Sequence, residues 1–315
     1  MTRWLAAVLT ALGLAVLACG GSSPETRTSG TTSSPRDSVT GAELPLGDGK
    51  VSTEPRRGYV WSCTPGNPNA PGAQVAGPWI SGSWWYPARK VHVGGDVQWP
   101  KARYAVTVKG DRRVITGNRL PVNQGTGVFP VASSDPASAF DRNPNRIVAA
   151  PVRAVLPARP KLAARPSCLG FGAVGILNDG VLLFDALDAQ GRDAVAHEVL
   201  DRCDGHPAPG GVYHHHDVPS CLLRTATGRA TLVGYAFDGF GIYVERDSAG
   251  RLPTDADLDA CHGRTSVVPW NGAPTRIYHY DATAEYPYTI GCFRGDSAAG
   301  PAAPAPGGPP PAGPQ

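Results

Sequence analysis

The stretch that decides the fold is "GAVGILNDGVLLFDALDAQGR", residues 172–192, because much of it returns as "TLVGYAFDGFGIYVERDSAGR", residues 231–251. Val174-Gly175 falls on Val233-Gly234. Asp179-Gly180 then falls on Asp238-Gly239, Phe184 on Tyr243, Asp188 on Asp247, Gly191 on Gly250 and Arg192 on Arg251. With one deletion, Leu200-Asp201-x-Cys203-x-Gly205 matches Leu258-Asp259-x-Cys261-x-Gly263. Tyr213-His214 and Tyr278-His279 come next, and each copy closes on a cysteine, Cys221 or Cys292. So many spaced matches read as two copies of one supersecondary unit, 174–221 and 233–292.

Each copy begins as a hairpin. Asp-Gly between two apolar runs favours a tight turn, because glycine tolerates positive φ. "DAVAHEVLD" (193–201) predicts a short helix with Asp193 as its N-cap, and Thr254 could cap a shorter one over "DADLD". A third strand would carry Tyr-His, giving a βαβ-like unit. Upstream, 55–173 is rich in Gly, Pro and short β-prone runs such as "GPWISGSWWYP". "TVKGDRRVITG" reads as a hairpin turning at Lys109-Gly110-Asp111. The expected fold is mainly β (α+β with few short helices), disulfide-bonded, with antiparallel sheets and an internally duplicated region over 174–295.

The ends differ in composition. Residues 1–19, "MTRWLAAVLTALGLAVLAC", place Arg3 before an apolar run too short to span a bilayer. "VLAC" resembles the lipobox of bacterial lipoproteins, with Cys19 as the lipidated residue. The expected setting is export, with lipid anchoring to the bacterial cell envelope. Residues 20–54 read as a disordered Ser/Thr/Gly/Pro tether and 296–315 as a disordered Pro/Ala/Gly tail. Lys plus Arg is 29 and Asp plus Glu 26, with no basic stripe carrying interleaved aromatics, so nucleic acid is not an expected partner.

With Cys19 set aside for lipid, six cysteines remain: Cys63, Cys168, Cys203, Cys221, Cys261 and Cys292. In an exported chain they suggest three disulfides, with fifteen connectivities possible. Duplication favours pairing within each copy, Cys203 with Cys221 and Cys261 with Cys292, which leaves Cys63 for Cys168.

The segments "NDGVLLFDALDAQGRDAVAHEVLDRCDGHPAPGGVYHHH", "VGYAFDGFGIYVE" and "YHYDATAEYPYTIGCFRG" resemble the YHYH-domain proteins, an exported family named for a Tyr-His-Tyr-His motif. Here the motif reads Tyr213-His214-His215-His216, with His215 in place of the second tyrosine. The resemblance implies a domain identity and an extracytoplasmic setting, and brings no activity with it.

Seven of the eight histidines lie between 197 and 279. If Tyr213–His216 is a strand, His214 and His216 share one face and His215 points to the other. Two such imidazoles can chelate a Zn²⁺ or Cu²⁺ ion, with His206 or His279 completing the set. Asp217, His262 and Asp281 are weaker candidates. Alternatively the histidines are structural, bonded to backbone carbonyls. "DALDAQGRD" faintly resembles a calcium loop, but a β-turn explains it more simply. Asp179 and Asp238 would be acid/base carboxylates if they met between the copies, and otherwise bond their own turns. The sequence shows no Gly-x-Ser-x-Gly elbow, Walker loop or His-Glu-x-x-His.

Two functions are consistent with this pattern. One is transition-metal binding at the histidine cluster of a surface-anchored lipoprotein, with hydrolysis by a metal-bound water left open. The other is a non-catalytic adhesion or carbohydrate-binding module with structural histidines; Trp79, Trp84 and Trp85 could form a stacking platform, but aromatics this dense in a β domain are more often core. Mass spectrometry of the mature protein extracted from membranes is expected to find an acyl group on Cys19, absent in Cys19→Ser. An unacylated mature N-terminus would contradict the anchor.

Overall fold

The computed structural model describes residues 43–296, apart from 65 and 74. The expected signal segment with Cys19, the tether up to residue 42 and the tail from 297 lie outside the described residues.

Small sheets come first. β1 (Leu44–Pro45), β4 (Ile80–Ser81) and β5 (Trp84–Trp85) form one, and β2 (Val51–Ser52) pairs in parallel with β3 (Val60–Trp61). β6 (Tyr104–Lys109), β7 (Arg112–Gly117) and β8 (Val152–Pro157) form an antiparallel sheet, with the expected hairpin turning at Gly110 in the left-handed region. β9 (Leu162–Ser167) pairs with β18 (Phe293–Gly295).

The main sheet holds β10 (Ala173–Leu177), β11 (Leu182–Phe184), β12 (Gly205–Ala208), β13 (Val212–His215), β14 (Ala230–Ala236), β15 (Gly241–Glu245), β16 (Gly263–Trp270) and β17 (Ala273–Asp281). Its order is β12-β13-β11-β10-β14-β15-β17-β16. The two halves share one pattern about the antiparallel β10/β14 pair. Each opens with a hairpin, crosses over to an edge strand, and returns on a strand antiparallel to that edge and parallel to the hairpin's second strand. Among the described residues the α-helices are α1 (Ala194–His197) and α2 (Ser220–Thr225). Asp193 caps α1, its Oδ1 accepting from Ala196 N at 3.2 Å. Thr254 and Asp257 form a capping box, but the element they cap is a single 3₁₀ turn, Asp255–Asp257.

Residues of β10, β14 and β15 are buried in nearly continuous runs rather than alternately. The sheet is therefore covered on both faces, which explains why these strands read as unbroken apolar stretches. β10 and β14 pair closely. A Cβ on Gly175 would stand 2.8 Å from Tyr235 O, and one on Gly234 would stand 2.7 Å from Ile176 O. Each glycine also ends a break in register with its own hairpin partner. The repeated Val-Gly pair thus marks where two backbones meet without room for a side chain.

Three disulfides, Cys63–Cys168, Cys203–Cys221 and Cys261–Cys292, tie the body together. One sequence expectation changes. Residues 43–54 belong to the fold rather than the tether. Leu44 is buried, Gly47 N donates to Asp193 Oδ2 at 2.9 Å, and Asp48 Oδ1 accepts from Asp193 N at 3.0 Å. The three tryptophans make no stacking platform, in line with the core reading of so dense a set of aromatics. Trp79 and Trp85 are core residues, the Trp79 indole donating to Ala196 O at 2.8 Å, and Trp84 is left alone at 43 % exposure.

Gly234→Ala should lower stability by about 2 kcal/mol, the scale of overpacking a tight site. Gly170→Ala, where an added Cβ meets nothing within 4 Å, should stay within about 0.5 kcal/mol of wild type. Denaturant unfolding of both variants checks the contrast.

Candidate metal centre

The β12–β13 hairpin turns through Gly210 and Gly211, both at positive φ. Its register sets His206 directly opposite His214, so these two share a face, and alternation adds His216 to it. The three Nε2 atoms converge. His206 and His214 are 3.0 Å apart, His214 and His216 3.0 Å, and His206 and His216 3.4 Å. All three side chains are buried.

The rings are oriented from behind. His214 Nδ1 meets Val212 O at 3.0 Å and His216 Nδ1 meets Asp185 O at 2.5 Å. A carbonyl only accepts, so each Nδ1 carries a proton, and in the neutral ring each Nε2 directs a lone pair inward. Phe184 stacks on His214 with ring centroids 3.9 Å apart. Converging lone pairs repel unless a metal ion or a proton lies among them. Nitrogens bound to one tetrahedral zinc at 2.0–2.1 Å stand about 3.3 Å apart, close to the spacing seen.

Glu198 joins this group. It comes directly after α1, and its Oε2 lies 3.0 Å from His206 Nε2 and 3.1 Å from His216 Nε2. Burial alone would raise this carboxyl's pKa, but His206 and His216 outweigh it and hold the group well below the usual carboxylate range. His214 is pushed well below the usual imidazole range by burial first and then by His206 and His216. An anionic carboxylate beside a neutral imidazole is a donor set suited to Zn²⁺ or Cu²⁺. Glu198 carries no marker in the sequence beyond its place one residue past a capped helix.

The opposite face of β13 holds the fold together. Tyr213 donates its hydroxyl to Asp201 Oδ2 at 2.9 Å. His215 Nε2 meets Asp179 Oδ2 at 3.0 Å and its Nδ1 meets Asp204 O at 3.0 Å. Burial opposes a charge on His215, yet Asp179 and the Asp204 carbonyl raise its pKa to about 9. In the other half Tyr280 occupies the position of His215 and donates to Asp238 Oδ2 at 2.5 Å. Tyrosine and histidine thus do the same work, tying this strand to the aspartate of the Asp-Gly turn.

Asp179 and Asp238 do not meet. They sit in turns at opposite ends of the antiparallel β10/β14 pair, and each accepts from its own turn, from Val181 N at 3.0 Å and Phe240 N at 3.1 Å. His279 does not complete the first cluster. It lies on β17, five strand steps from β13, or about 24 Å at normal strand spacing. Its neighbours are Glu245 and Asp281. His262 bonds Thr283 and Asp255. The loop that faintly resembled a calcium site is a turn, with both Asp188 oxygens engaged by Gln190 and Arg192.

Fold and site together define a mainly β, disulfide-bonded protein with a buried histidine cluster on its main sheet. Residues 153–254 match the family model described as YHYH protein, so the chain carries a YHYH domain. That span contains Tyr213–His216 and stops before Tyr278–Asp281. No curated protein and no solved structure matches the chain.

His215→Ala should leave metal binding intact while costing about 3 kcal/mol of stability, because Asp179 loses a buried ionic partner. His215→Tyr, which copies Tyr280, should cost less. Calorimetry with metal analysis checks both.

Proposed function

We propose that this is an exported, lipid-anchored protein whose YHYH domain holds one transition-metal ion, zinc or copper, through His206, His214 and His216, with Glu198 beside them. The observation that carries this reading is the convergence of three buried imidazole nitrogens within 3.4 Å. Two of those rings are pre-set with Nδ1 on a backbone carbonyl, the arrangement metal-bound histidines adopt. Three disulfides are compatible with an oxidising compartment outside the cytoplasm. No helix among the described residues is long and apolar enough to cross a membrane. Attachment to the envelope therefore falls to Cys19 in this reading.

The site favours holding the ion over turning substrate over. The four side chains belong to residues only 3 to 9 % exposed, and they line neither of two clefts of about 560 and 720 Å³ on the described surface. Metal-assisted hydrolysis needs an open coordination position and a path for substrate. The carbohydrate-module alternative is weakened because two of its three tryptophans are core residues.

Protein purified without chelators should contain one zinc or copper ion per chain. His206→Ala, His214→Ala and His216→Ala should each abolish binding, and Glu198→Gln should weaken it about 10-fold. Saturating metal at about 1,000 times Kd should add about 4 kcal/mol of stability to wild type and none to the histidine variants. Binding should weaken as pH falls, because His216, whose pKa Glu198 and the Asp185 carbonyl raise against the effect of burial, must give up its proton to ligate. A wild type that holds no metal overturns the proposal.

A further inference from the structure

The second half of the sheet carries a related cluster. Strand pairing sets Arg264 opposite His279, as it sets His206 opposite His214. The parallel pairings align His215 with Tyr280, and therefore His216 with Asp281. His279 is also oriented as His214 is. Its Nδ1 meets Ile277 O at 3.1 Å, which turns Nε2 toward Glu245 Oε1 at 3.3 Å and Asp281 Oδ1 at 3.6 Å. His279 and Asp281 are fully buried, and His279 Nε2 makes no hydrogen bond among the described residues.

A cation already sits among these groups. The Arg264 guanidinium contacts Glu245 Oε2 at 2.5 Å through one amino group and Asp281 Oδ2 at 2.8 Å through Nε. One side chain separates the two clusters in kind, histidine at 206 and arginine at 264. Imidazole offers a lone pair and needs an ion, whereas guanidinium has no lone pair to offer and supplies the positive charge itself.

We propose that Glu245, His279 and Asp281 form a second ligand set for a divalent transition-metal ion, and that Arg264 holds the ion's place in the native chain. One imidazole and two carboxylates are a competent donor set for zinc. Glu245 and Arg264 line the cleft of about 560 Å³, and the arginine side chain is 30 % exposed, so an ion can arrive from solvent once the guanidinium is removed. This rests on the geometry of the second cluster and not on occupancy of the first.

The test is zinc titration of the full mature protein, with metal analysis after desalting and zinc-dependent thermal stability as a second readout. Arg264→His should bind one equivalent more than wild type, and Arg264→Ala should show the same gain more weakly. The added equivalent should vanish in Arg264→His/His279→Ala and persist in Arg264→His/His214→Ala. If the first site does not bind metal, wild type binds none and Arg264→His binds one, which sustains this proposal while overturning the other. Folded Arg264→His and Arg264→Ala proteins that gain no equivalent overturn it. So does an added equivalent that survives His279→Ala.

Discussion

A strand has two faces, and everything at the centre of this domain depends on how β13 and the residue after it divide four consecutive side chains between them. Tyr213 and His215 point one way and bond Asp201 and Asp179, two buried carboxylates fixed by local turns. His214 and His216 point the other way, into a space where their lone pairs face His206. Strong bonds on the first face hold the strand in register. A slip of one residue would exchange the two sets and leave both aspartates and both cluster histidines without partners. The same bonds set the rigidity a metal centre needs, since ligand positions are only as well defined as the element that bears them.

The two halves of the sheet solve one electrostatic problem in different ways. Each buries electron-rich side chains at the same place relative to its Tyr-His strand. In the first half His206, His214, His216 and Glu198 gather around one another's ligand atoms. In the second, Arg264 pairs with Glu245 and Asp281 directly. Burying charge without a partner is costly, and the second cluster has its cation built into the chain as Arg264, whereas the first leaves Glu198 to the imidazoles around it.

Much of this is legible in the sequence where local chemistry dictates structure. The Asp-Gly turns need glycine at positive φ, Asp193 is a good cap, and the recurrent Val-Gly marks a close pairing of two backbones. The alternation of His214 and His216 follows from the strand itself. Edge strands are harder to read. β12 contains Pro207 and β16 contains Pro269, which look like strand breakers; a proline is tolerated there because an edge strand leaves N–H positions unpaired. Residues 43–54 look like tether because their two spaced leucines are sparse, yet Leu44 and Leu46 share a face and pack against the core. Likeness of motif draws His279 toward His214. Equivalent residues of two side-by-side units lie in their own units, not together. Glu198 reaches the site through the crossover after α1, a tertiary route that spacing does not encode.

The central claim is that the three imidazoles surround an ion. X-ray absorption at the metal edge of protein loaded with one equivalent of zinc tests it most directly. The expected result is a shell dominated by imidazole nitrogens at about 2.0–2.1 Å, with no sulfur. A shell of water and carboxylate oxygens alone, or a zinc signal unchanged when His214 is replaced by alanine, would contradict it.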